Sequence, residues 1–239
     1  MIRSFVLCIS MFLSSTVSHA QLDQLEKRLG VGNASSLSDS KVSSGLKEAL
    51  RVGAENSVKL TGKTDGYFKN EAIKILMPSS LRPLEKGLRA VGFGPKIDSF
   101  ILSMNRSAEA AAPAAKKIFT DAILEMSFED ARKILSGGDT AATDYFKGKT
   151  TGRLTTAFRP VVEKTMSKNG VTQQYQALTK QYESIPFAKN ETFDVDKYVV
   201  EKALDGLFYE LADQERQIRK DPAARTTSLL KEVFGGLRK

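Results

Sequence analysis

Apolar positions recur along most of the chain at the 3.6-residue spacing that lines one face of an α-helix. The clearest run is Val200, Ala203, Leu204, Leu207, Phe208 and Leu211, at i, i+3, i+4, i+7, i+8 and i+11. Four others are Val42, Leu46, Ala49, Leu50, Gly53 and Ser57; Ile97, Phe100, Ile101, Met104, Ala108 and Ala111; Ile118, Phe119, Ala122, Ile123 and Met126; and Leu154, Ala157, Phe158, Val161 and Met166. Leu229, Leu230, Val233 and Phe234 close the set. Strand-like alternation is confined to Ile73, Ile75 and Met77 before Pro78, enough for at most one short extended segment.

The punctuation agrees with these runs. Ser127 three residues before Asp130 resembles a capping box, and Gly137-Gly138 follows Leu135 where a helix would end. Asp221 before Pro222 is an N-cap followed by a first-turn proline, which predicts a break after a long helix over 196–220. Asn169-Gly170 and Gly235-Gly236 predict two further helix ends, and Pro113 and Pro160 should each kink or restart a helix. The connections 30–38 and 184–192 read as mobile, yet neither is long or biased enough to separate domains. The expected fold is therefore all-α, a single multi-helical domain over residues 37–239.

Residues 1–36 have a different character. A lone early cation at Arg3, an apolar run from Phe5 to Leu13 and Ser18-His19-Ala20 describe a secretory signal peptide over 1–20, followed by a flexible segment over 21–36. Its apolar run is far short of the ~20 residues that span a bilayer. Cys8 sits behind bulky Val6-Leu7, which is no lipoprotein site. Cleavage after Ala20 would leave 219 residues with net charge +7 and no histidine, cysteine or tryptophan. Without imidazole or thiolate a chain builds no Ser-His-Asp or Cys-His nucleophile, no zinc site of the usual kind and no disulfide. No metal and no cofactor is expected, the apolar core must hold the fold unaided, and the chain reads as periplasmic.

Strings that imitate nucleotide or calcium motifs fail on their context. Gly62-Lys63-Thr64 and Gly148-Lys149-Thr150 lack the upstream glycine and the buried strand of a P-loop, and Gly92-Phe93-Gly94 lacks the third glycine of a dinucleotide fingerprint. These read as turns. Asp194-Val195-Asp196 lacks the glycine and terminal glutamate of a calcium loop and is better read as a helix N-terminus.

Other strings carry a resemblance. Gly45-Leu46-Lys47-Glu48-Ala49-Leu50, Asp65-Gly66-Tyr67-Phe68, Met104-Asn105-Arg106-Ser107-Ala108-Glu109, the run from Gly137 to Phe146, Tyr198-Val199-Val200 with Leu204-Asp205-Gly206-Leu207-Phe208, and the run from Glu215 to Pro222 occur in that order. Together they resemble an exported bacterial family known as domain of unknown function 4197, over about residues 45–234. The resemblance implies a helical envelope protein of Gram-negative bacteria with no established activity. Many members look like lipoproteins, and this sequence departs from them in lacking a usable lipobox cysteine.

Polar residues inside those strings are the candidate ligand-binding set: Asn105, Glu109, Asp139, Thr143, Tyr145, Glu215, Arg219, Asp221 and Arg225. Asn105 and Glu109, like Glu215 and Arg219, lie one helical turn apart. A pocket made by these residues could take an anionic or zwitterionic group through Arg219 and Arg225, with Glu109 and Glu215 fixing the guanidinium groups. The bland alternative is a salt-bridge network locking helix ends together. Between Tyr145 and Lys180 there are seven Lys or Arg and one acid, Glu163. On an exported chain that stretch points to an anionic lipid or an acidic envelope partner, not nucleic acid. No transmembrane span is expected in the mature chain. Three classes stay open: a non-catalytic binding or scaffolding protein of the envelope, a carboxylate-only hydrolase of envelope glycans using Glu109, Asp139 and Glu215, and a structural helper that assembles with itself or a partner.

Overall fold

In the computed structural model, which describes residues 39–168, 194–229 and 231, the periodic runs fold as helices. In chain order they are α1 (Asp39–Gly62), α2 (Arg82–Ala90), α3 (Gly94–Ala111), α4 (Ala115–Leu124), α5 (Phe128–Ser136), α6 (Ala141–Lys168) and α7 (Val195–Lys220). Short 3-10 turns occupy Ser79–Leu81, Ala112–Ala114 and Pro222–Ala224. The fold is all-α, and there is no strand among the described residues. These residues all lie in the second of two contact-defined units, 1–38 and 39–239. Residues 1–36, the connections 30–38 and 184–192, Asn169-Gly170, Leu230, Val233, Phe234, Gly235-Gly236 and the basic stretch past Lys168 lie outside the described residues.

The caps are where local chemistry puts them. Ser127 Oγ accepts from the Asp130 N–H at 3.1 Å while Asp130 accepts from the Ser127 N–H at 3.0 Å, a reciprocal capping box at the start of α5. Asp194 accepts from the Lys197 N–H and opens α7. Asp221 accepts from the Ala223 N–H, and the chain leaves α7 there into Pro222–Ala224. Pro113 lies in the turn between α3 and α4, a restart as expected. Pro160 does not restart a helix, because α6 continues through it. Its missing N–H falls on the exposed side, where solvent can serve the freed carbonyl.

α7 is central, packing against α6, α1 and α3, while α6 also meets α3, α4 and α5. The whole run from Val200 to Leu211 is buried along α7. Phe119 of α4 stands between Phe146 of α6, edge-on at 5.1 Å, and Phe208 of α7 at 6.2 Å. On α6 the buried stripe is Phe146, Thr150, Leu154, Phe158, Val162 and Met166. It therefore includes Val162 where the spacing predicts Val161, since the buried residues keep a four-residue step, which turns the stripe by about 40° each time. Gly148-Lys149-Thr150 is helical rather than a turn, with the Thr150 hydroxyl donating to Phe146 O. α2 has no counterpart in the periodicity, because only Leu84 and Leu88 carry its buried face.

Residues 63–81 join α1 to α2 as an irregular strap. Asp65 is left-handed (φ 66°), and a Cβ on Gly66 would meet Leu60 O at 2.4 Å, so the turn leaving α1 demands glycine there. The alternation at Ile73, Ile75 and Met77 is real, since all three are buried. The segment stays outside any sheet because a side chain supplies its pairing, as described next.

Candidate functional site

Glu215 and Arg219 lie one turn apart on the buried side of α7, facing the junction of α5 with α6. Glu215 Oε1 accepts from the Ala142 N–H at 2.9 Å, and Oε2 accepts from both the N–H and the hydroxyl of Thr143 at 2.9 Å. A carboxylate thus closes the N-terminus of α6, satisfying donors that no helical carbonyl can reach and meeting the positive end of the helix dipole. Arg219 donates twice to Glu215 Oε1, at 3.0 and 2.8 Å, and its Nη2 also donates to Ile134 O at 2.8 Å, near the end of α5. One buried ion pair therefore caps the end of one helix and the beginning of the next.

The neighbouring candidates serve the same end of the molecule. Arg225, 4% exposed, donates to Ile218 O and Arg219 O, closing the C-terminus of α7 with a cation. Asp139 pairs with Lys220, whose hydrogen bond holds the carboxyl below its ordinary range. Tyr145 reaches Ala122 O, and burial pushes its hydroxyl above its ordinary range. Thr143, Glu215 and Arg219 also edge a cavity of about 20 Å³ whose other walls include Leu46, Leu50, Phe146, Leu211 and Ile218. That is room for about one water.

Asn105 and Glu109 form a second network, on α3, that holds the strap. Asn105 Oδ1 accepts from the Ile75 N–H at 2.9 Å, and its Nδ2 donates to Ile75 O at 2.8 Å and to Ile101 O at 2.8 Å. The amide does for Ile75 what a neighbouring strand would do. Glu109 Oε1 accepts from the N–H groups of Tyr67 and Phe68, while Oε2 pairs with Arg106 at 2.6 Å. Arg106 in turn binds Asp65, whose carboxyl is held low by hydrogen bonds from Lys69 first and Arg106 second.

The candidates are therefore divided between two places, Asn105 and Glu109 on α3 at the strap and the others around the ends of α5, α6 and α7. The single pocket expected from the sequence, in which Glu109 would fix Arg219 or Arg225, does not form: the cation of Glu109 is Arg106, and Arg225 is held by backbone carbonyls. Sequence reasoning missed Tyr67, Asn70 and Glu210. Tyr67 is fully buried, its hydroxyl donates to Ala203 O at 2.6 Å, and burial raises its pKa. Asn70 donates to buried Glu210 at 2.7 Å. The signal for Tyr67 was present in Gly206, where an added Cβ would stand 2.5 Å from Tyr67 Cε1.

The described part of the basic stretch is α6. Lys147, Lys149, Arg153, Arg159, Lys164 and Lys168 are all exposed, and Asp144 and Glu163 are the only acids on this helix. Among the described residues no group of three or more His, Cys, Asp or Glu is placed to hold a metal ion, and no helix is long and apolar enough to cross a membrane.

The fold is all-α, with helix ends tied by an internal ion pair. The chain belongs to the family described as protein of unknown function (DUF4197), whose model matches residues 36–235. No curated protein and no solved structure is significantly similar to it.

Proposed function

We propose that this protein is a non-catalytic binding protein of the cell envelope, exported on residues 1–20, that attaches to anionic phospholipid surfaces through α6. The observation that carries the reading is the charge of that helix, six exposed cations against two acids. Glu163 lies opposite Arg159 at 3.8 Å and leaves the remaining cations in excess. An anionic leaflet attracts each Lys or Arg near its surface by about 1 kcal/mol, so a helix of this charge accumulates useful affinity without a deep pocket. The cavity at Thr143, Glu215 and Arg219 has room for about one water, and the larger depression of about 510 Å³ beside Arg51, Ile123 and Leu124 is open to solvent, so neither encloses a lipid. The buried acids favour binding over hydrolysis, since Glu109 and Glu215 are already occupied by donors of their own chain.

The test is co-sedimentation of the mature chain with vesicles. Binding to phosphatidylglycerol vesicles at ~50 mM salt, lost at ~500 mM salt and absent with pure phosphatidylcholine, is the expected result. Failure to bind either vesicle at low salt would overturn the reading.

A further inference from the structure

We infer that the α4–α5 corner is the point at which the protein enters the bilayer interface, with Leu124 and Phe128 as apolar anchors. This rests on the surface reading above and adds the orientation and depth that charge alone does not give. Leu124 is 72% exposed and Phe128 40% exposed, on either side of the short connection between α4 and α5. In a fold that buries Phe100, Phe119, Phe146 and Phe158 completely, two large apolar side chains turned to solvent at one corner call for a use.

Cations surround the corner. The Arg132 guanidinium stands over the Phe128 ring at 5.0 Å, and Lys149 of α6 stands over the Tyr145 ring at 5.8 Å. Arg153 of α6 reaches Ile118 O and the carboxylate of Glu125, which brings the α6 flank alongside the corner. The corner's acids are matched from within the chain: Glu125 by Arg153, Glu129 by Lys133, and Asp130 by Ser127 in the capping box. Apolar tips bracketed by Lys and Arg are the arrangement that an anionic bilayer interface takes up, the tips entering the acyl boundary and the cations staying with the phosphates.

The chain has no tryptophan, so Phe128→Trp places a single reporter at the corner. Val91→Trp, at an exposed apolar position in the α2–α3 turn, is the control. With phosphatidylglycerol vesicles, the indole emission of the Phe128→Trp protein should shift to the blue and be quenched by lipids brominated high on the acyl chain, while that of the Val91→Trp protein stays unchanged. Adding Leu124→Asp to the Phe128→Trp protein should weaken partitioning by about tenfold without lowering its melting temperature. Co-sedimentation of the Phe128→Trp protein with neither shift nor quenching would overturn this inference and leave the surface reading standing. Quenching of the Val91→Trp protein in place of the Phe128→Trp protein would overturn it equally, by placing another face on the membrane. Absence of co-sedimentation for every variant and for the wild type would remove the reading on which it rests.

Discussion

Arg219 and Glu215 form a buried ion pair, 12% and 8% exposed, that caps two helices at once. Arg219→Ala removes the cation from the carboxylate and the donor from Ile134 O. Glu215 keeps its three donors from Ala142 and Thr143, so the expected loss is about 3 kcal/mol, the low end for breaking a buried pair. Replacing both residues by leucine should not restore stability, because the N–H groups of Ala142 and Thr143 would then lack an acceptor. Urea melts of the two variants check this. A double variant as stable as wild type would show the pair to be replaceable packing.

Three glycines on helices should respond in opposite directions. Gly206→Ala puts a Cβ 2.5 Å from the ring of Tyr67, which its hydroxyl bond to Ala203 O holds in place. The expected cost is about 1 to 3 kcal/mol, as for overpacking generally. Gly148 and Gly152 lie on the exposed side of α6 with nothing within 4 Å of an added Cβ. Alanine at either should stabilise by about 0.5 to 1 kcal/mol through helix propensity. Thermal melts decide, and a stabilised Gly206→Ala protein would contradict the packing described for the strap.

Asn105→Leu leaves both the N–H and the C=O of Ile75 buried without their partner, and should cost about 3 kcal/mol. The damage should be local. Hydrogen exchange at the Ile75 amide should accelerate far more than at amides in the middle of α7, and uniform acceleration would mean that the strap is not the element Asn105 holds.

These responses mark what was legible in the sequence. The runs on α1, α3, α4 and α7 declare themselves because each presents its apolar residues to neighbours over several turns. α2 stays silent because two leucines make no period, and Val161 is read in place of Val162 because the buried stripe of α6 keeps a four-residue step and winds around the helix. Glu215 and Arg219 were visible as an i, i+4 pair, but their partners Ala142, Thr143 and Ile134 lie more than seventy residues away and offer only backbone groups or a hydroxyl. Asn105 was legible as a polar residue at the edge of an apolar face. Its partner Ile75 shows in sequence only as half of a strand pattern, and nothing local says that an amide will take the place of the second strand.

Acid should destabilise the fold in a defined window. Hydrogen bonds hold Asp130 (from Ser127), Asp65 (from Lys69, then Arg106), Asp139 (from Lys220) and Glu48 (from Arg51) below their ordinary values. Groups lowered in the folded state contribute stability above the unfolded pKa of about 4 and lose it as pH falls through the lowered value. Asp196 runs the other way: burial, then the charges of Glu163 and Asp194, raise it, so its ionisation opposes folding as pH rises. Melting temperature should hold near neutrality and fall modestly below about pH 4, because these carboxylates lie close to solvent and their pairings are screened, and Asp196→Asn should raise it at pH 7. A melting temperature that stayed flat to pH 2 would contradict these pairings.

Surface attachment through α6 is tested most directly by the partition coefficient onto phosphatidylglycerol vesicles of wild type and of Lys149→Glu/Lys164→Glu/Lys168→Glu. All three positions are exposed, so the variant should melt like wild type. Its partitioning at low salt should fall by about a hundredfold or more, and the salt dependence of what remains should flatten. Equal partitioning of the two proteins, or equal binding of wild type to uncharged phosphatidylcholine, would contradict attachment through the charge of this helix.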